Sequence, residues 1–122
     1  MFVNADFTRR AVVATDQYEW VDSPQSGVER ILLDRLGGEK ARATSIVRYA
    51  PASCFPRHQH PGGEEILVLA GEFFADGQRY IRGSWIRLPA GEYPDIVAAE
   101  NGATVYLNTG HLAGVVAGVA PW

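Results

Sequence analysis

The chain has a single cysteine, Cys54, so no internal disulfide can staple it, and this fits a reducing compartment. A lone cysteine of this kind reads first as a small buried hydrophobe, ahead of a redox or metal role. No run of about 18 apolar residues is present, which excludes a membrane-spanning helix. Basic charge is not in excess either: the formal net charge is −3, without the electrostatic footprint of a nucleic-acid binder. The opening Met1-Phe2-Val3-Asn4-Ala5-Asp6-Phe7 lacks a charged-then-apolar leader pattern, so the expected location is cytoplasmic. Repeats, low-complexity segments and linkers are also missing. With 122 residues, the expectation is one domain spanning 1–122 with one core. Finally, no segment longer than ten residues carries a 3.6-residue apolar period, which argues against a helical architecture.

What the chain does have is turn chemistry between short β-prone runs. Residues 1–13 hold Phe2, Phe7, Val12 and Val13 and predict an opening strand, whereas Asp16 to Trp20 is ambiguous, with Trp20 as a core or interface anchor. Ser23-Pro24-Gln25-Ser26-Gly27 is a turn cluster. Val28 to Asp34 alternates loosely, meets Gly37-Gly38, and predicts a hairpin returning through Ala41 to Ala50. Ile66 to Ala70 is wholly apolar and predicts a strand buried on both faces. Asp76-Gly77 between β-prone runs is a strong hairpin signal. Gly83, Pro89-Ala90-Gly91 and Asn101-Gly102 predict further turns, around strands at Ser84 to Leu88 and Ala103 to Asn108. The small apolar tail from Leu112 to Ala120 suits either a closing strand or an interface. The pattern as a whole predicts an all-β sandwich or barrel.

Chemistry concentrates in His58-Gln59-His60-Pro61-Gly62-Gly63-Glu64-Glu65. Histidines at i and i+2 share one face of an extended strand. The Pro-Gly-Gly turn returns a carboxylate beside them. Two imidazoles and a carboxylate suit a divalent metal.

This stretch resembles the first motif of the cupin family: Gly, five residues, His-x-His, three or four residues, Glu, six residues, Gly. Here Ala52 stands at the first glycine, His58 and His60 follow, Glu64 comes three residues later and Gly71 closes the motif. The interval to Gly71 selects Glu64 over Glu65. The second motif is matched by Gly83 and Pro89-Ala90-Gly91, but the family's fourth ligand falls on Pro94 and its asparagine on Ala98. Proline cannot coordinate through its side chain. The string HQHPGGEEILVLAGEF is similar to ChrR-type cupins and to acetylacetone-cleaving dioxygenases, over roughly residues 28–110.

The resemblance implies a double-stranded β-helix, or jelly roll, with one divalent metal ion per chain: Fe(II) or Zn(II), with Mn and Ni also suited. The implied ligands are His58, His60 and Glu64. A fourth place has Glu92, which shares strand parity with Pro94, and His111 as candidates, while Tyr93 and Tyr106 are candidates for the pocket wall. The implied function is a dioxygenase-like metalloenzyme acting on a small oxygenated metabolite; the alternative is a non-catalytic ChrR-like sensor of metal or ligand. The helical zinc module through which ChrR binds a sigma factor has no counterpart here. A homodimer is expected, because Leu67 and Leu69 alternate away from Glu64 and need cover.

Overall fold

The computed structural model describes residues 1–38, 41–56, 58–93 and 95–112, with the backbone alone for His58, His60, Glu92 and Tyr93. Among these residues the chain is a succession of strands. They are β1 (Phe2–Val3), β2 (Val21–Asp22), β3 (Val28–Leu36), β4 (Ala43–Tyr49), β5 (Cys54–Phe55), β6 (His58–His60), β7 (Glu64–Ala75), β8 (Gln78–Ile81), β9 (Trp85–Leu88), β10 (Gly91–Tyr93) and β11 (Ile96–Thr109). One 3-10 turn, Thr15–Gln17, lies in the ambiguous segment before Trp20. Among the described residues no helix is long and apolar enough to cross a membrane.

All pairings are antiparallel. The main sheet runs β1-β3-β4-β11-β7-β8, with β2 on β3, β5 on β11 and β9 on β7. A separate small sheet pairs β6 with β10. This is the all-β jelly-roll arrangement expected of the chain. The long strands β7 and β11 lie together at its centre because alternation fills one of their faces. Val68, Val105 and Phe73 are the most deeply buried large side chains, and Val28, Val47, Tyr49, Ile66, Ile96, Ala98 and Ala103 complete the core.

Several expectations are corrected by the register. Ile66 to Ala70 is buried on one face only: Ile66 and Val68 are inside, while Leu69 is 41% exposed. The pairing steps from Val68↔Val105 to Ala70↔Thr104, so Leu69 is an extra residue. That bulge moves the inward phase from even to odd positions, which carries Ala70 outward and brings Phe73 into the core. Asn101-Gly102 does not end a strand. It lies within β11, where pairing to β7 skips from Ala98 to Ala103. The opening segment is strand only at Phe2–Val3 and is otherwise an exposed arm. Cys54 is exposed, because β5 is a two-residue strand at the sheet margin. Trp20 is half-buried, with the Arg48 guanidinium 3.8 Å from its ring centroid. Tyr106 belongs to the outer face of β11, at 37% exposure. The hairpin at Asp76-Gly77 forms as expected, with φ of 51° and 75°, the left-handed pair that a tight two-residue turn requires. Pro94 and the tail from residue 113 lie outside the described residues.

Candidate functional site

Strand β6 carries the two histidines, and Pro61 to Gly63 joins it to the first residue of β7, Glu64. The turn is locked from behind. Gly110 donates its N–H to the Gly63 carbonyl at 3.0 Å, and Leu112 donates to Gly62 at 2.9 Å. A Cβ at Gly62 would run into the Gly110 backbone, so only glycine permits this approach. The connection between the histidines and Glu64 is therefore short and fixed.

The small sheet defines parity around the histidines. His58 pairs with Tyr93, Gln59 with Glu92 and His60 with Gly91. Glu92 thus takes the register of Gln59, between the two histidines. His111 is engaged elsewhere: its Nε2 lies 2.6 Å from Glu65 Oε1. Glu65 is the strand neighbour of Glu64 and alternates to the other face of β7. Arg87 donates from Nε to the second Glu65 oxygen at 2.7 Å. Hydrogen bonds from Arg87 and then His111 hold the Glu65 carboxyl below the usual carboxylate range.

Glu64 sits in the opposite environment. It is 3% exposed, and desolvation pushes its carboxyl up to about 7. It belongs to the wall of a cavity of about 280 Å³ inside the barrel, with Arg30, Arg35, Ser45, Tyr49 and Thr109 as further polar lining. Val28, Val47, Phe55 and Leu107 supply much of the apolar wall. Tyr49 is buried, and desolvation together with the Glu64 charge raises its hydroxyl above the ordinary tyrosine range, so it remains a protonated donor.

The polar residues that share this wall with Glu64, Ser23 and Gln25 of the turn cluster included, escaped sequence reasoning as site residues. On β3 one signal was available: the alternation of Val-Glu-Arg-Ile-Leu-Leu-Asp-Arg-Leu breaks at Leu32-Leu33, where the register steps. Tyr49, Ser45 and Thr109 gave none beyond strand position.

Among the described side chains no three of His, Cys, Asp or Glu converge, and those of His58 and His60 are not among them. The donor types nonetheless suit a divalent metal. A carboxyl that desolvation holds near 7 is a group that a cation would stabilise as carboxylate, and two histidines at one parity precede it across a locked turn.

A profile described as the ChrR cupin-like domain matches residues 8–113. No curated protein matches the chain. Among solved structures, KdgF from Halomonas sp. is 20% identical, covers 81% of this chain and 94% of its own, and superposes with a TM-score of 0.62. An acetylacetone dioxygenase from Acinetobacter johnsonii is 17% identical, covers 83% of this chain and 73% of its own, with a TM-score of 0.64. A chain from the complex of Rhodobacter sphaeroides SigE with the anti-sigma ChrR is 22% identical, covers 79% of this chain and 51% of its own, with a TM-score of 0.62. The present chain thus spans about half the length of that one. At these identities the likeness establishes the fold.

Proposed function

Because the chain belongs to the ChrR cupin-like family, we propose that it binds one divalent metal ion through His58, His60 and Glu64 and acts as a dioxygenase-like metalloenzyme on a small oxygenated metabolite. The observation that carries this reading is Glu64: a buried, desolvated carboxyl on a cavity wall, at the end of a locked turn from the histidine strand. A two-histidine, one-carboxylate set leaves coordination positions for oxygen and a chelating substrate, which favours Fe(II); the same set can hold zinc with a water. His111 is left out of the ligand set because Glu65 holds it. Around the site, Tyr49 offers a buried hydroxyl donor, and Val28, Val47, Phe55 and Leu107 give the cavity an apolar wall.

Metal analysis of protein purified without chelator tests the site: one equivalent per chain is expected, and protein that takes up no metal on titration would overturn it. Oxygen consumption by the Fe(II)-loaded protein with small diketones and oxo acids tests the enzyme. Full metal occupancy with no turnover across that panel would favour the ChrR-like sensor instead.

The active form is proposed to be a homodimer. An apolar row crosses five strands on the outer face, pairing Ile31 with Ile46, Ile46 with Tyr106, Tyr106 with Leu67 and Leu67 with Trp85. The row is buried at Ile31, but Trp85 at its other end is 56% exposed, and Leu69 beside Leu67 is 41% exposed. Exposed apolar surface of this kind marks a contact face.

A further inference from the structure

Two arginines of β3, Arg30 and Arg35, line the cavity that holds Glu64. The interior of a small β-barrel normally takes apolar side chains, and guanidinium groups there lose hydration. Their inward phase is set by the backbone. Arg30 pairs with Val47, a core residue, and Arg35 pairs with Ala43, which is 2% exposed.

Between them the register slips. Leu32 pairs with Ser45 and Asp34 with Thr44, so Leu33 is an extra residue. Without it, strict alternation from Arg30 would turn Asp34 inward and Arg35 outward. The bulge exchanges them: Asp34 takes the register of Thr44 on the outer face, and Arg35 enters the barrel at 5% exposure. Bulges recur where a side chain must be re-aimed near a site. Here the residue re-aimed inward is cationic and the one removed is anionic. Arg35 is also fixed in place, since its Nη1 donates to the Gly38 carbonyl at 2.8 Å.

The charged groups among the described lining are thus two guanidiniums and one carboxylate. A metal ion at Glu64 would neutralise that carboxylate and leave the cavity more positive. The guanidiniums outnumber the carboxylate, and an excess of one sign of charge in a low-dielectric cleft concentrates ligands of the other. Its volume of about 280 Å³ lies at the low end for ligand pockets, so the ligand is small. Guanidinium is the side chain that matches a carboxylate with a planar pair of donors.

We infer that the cavity takes a small carboxylic acid in its anionic form, held through its carboxylate by Arg30 and Arg35, with a second oxygen presented toward Glu64. The carboxylate half rests on the cavity alone; the placement of the second oxygen rests on the proposed metal site.

Acetoacetate and pentane-2,4-dione form a suitable probe pair, since they match in size and differ in exchanging a carboxylate for an acetyl group. Calorimetric titration of both, into metal-loaded and metal-stripped protein, reads the preference directly. Acetoacetate is expected to bind at least ~10-fold more tightly in both states, the scale of a charge-assisted hydrogen-bonded pair. Arg30→Gln should remove most of that preference, weakening acetoacetate far more than the dione. Arg35→Lys keeps the charge in a position that Gln could destabilise, and should still weaken acetoacetate because the planar fork is lost. Equal affinities, no binding of acetoacetate, or a preference that both variants retain would overturn the inference. So would a preference seen only with metal and indifferent to Arg30, since the carboxylate would then be bound by the ion. If the protein takes up no metal and the arginine-dependent preference persists, the metal reading fails and this one stands.

Discussion

Glu64 and Glu65 are adjacent in the chain and occupy opposite electrostatic environments. Glu64 faces the barrel cavity, and burial pushes its carboxyl up to about 7. Glu65 faces outward between Arg87 and His111, which hold its carboxyl low. Strand alternation alone separates them. It assigns one carboxylate to the candidate centre and the other to a surface ion-pair cluster.

The metal-free protein should therefore lose stability as pH rises. A carboxyl raised from 4.5 to about 7 keeps its proton in the folded chain where the unfolded chain has released it. The stabilisation is complete below about 4.5 and is lost progressively up to about 7. Its upper size is about 3 kcal/mol. Urea midpoints measured in chelator at about pH 5 and pH 8 should fall for wild type, while Glu64→Gln should flatten this limb. An equal fall in the variant would assign the effect elsewhere. Metal affinity should rise over the same window, because binding takes the carboxylate form.

Replacing His58, His60 or Glu64 by Ala should weaken metal binding by at least ~100-fold, since even supporting groups cost 10–100-fold. His111→Ala should leave stoichiometry and affinity unchanged, because His111 pairs with Glu65 on the other face. Competition titration with a chromophoric chelator distinguishes them. A large loss in His111→Ala would place that ring among the ligands.

Gly71 and Gly83, which match family glycines, should tolerate Ala very differently. Gly71 has φ of +68°, and a Cβ there would run into the Gly102 carbonyl oxygen. Gly83 has φ of +90° with open space around it. Gly83→Ala should cost about 1 kcal/mol, for conformation alone, and Gly71→Ala about 3 kcal/mol or more because backbone must also move. Equal unfolding free energies for the two variants would show that β7 and β11 yield easily at this crossing.

Ala52 stands where the family places glycine, and its φ is +57°. Backbone bonds fix it there: Ala52 donates to the Ala99 carbonyl at 3.0 Å, and Ser53 donates to Ala50 at 3.0 Å. Ala52→Gly should stabilise the fold by up to about 1 kcal/mol, the relief of left-handed strain outweighing the greater freedom of unfolded glycine. A lower melting temperature in the variant would refute this.

Light scattering at tens of micromolar should give a dimer mass, and Trp85→Glu should shift it toward monomer by placing a charge at the exposed end of the outer apolar row. A wild-type monomer would leave the row without a partner copy.

The sequence by itself determined the architecture, and it singled out the stretch from His58 to Glu64 that is proposed as the metal centre. Turn chemistry at Asp76-Gly77 and Pro61 to Gly63 is local, and such signals survive without tertiary information. The spacing from His58 to Gly71 likewise encodes which carboxylate follows the histidine strand, since adjacent residues of a strand take opposite faces. Only the tertiary structure decided where alternation breaks. The bulges at Leu33 and Leu69 rephase β3 and β7, and pairing with β4 and β11 fixes them rather than any local preference. Those two extra residues send Arg35 and Phe73 inward and Asp34 and Ala70 outward. The Asn101-Gly102 signal yielded to pairing in the same way, becoming an irregularity inside β11 where the sequence predicted a strand end. Cys54 is exposed for a related reason: burial depends on which strands lie over a residue, and β5 lies at the margin. A one-residue slip costs little locally but changes the face of every residue beyond it, so the charge inside the cavity could be read only from the assembled sheet.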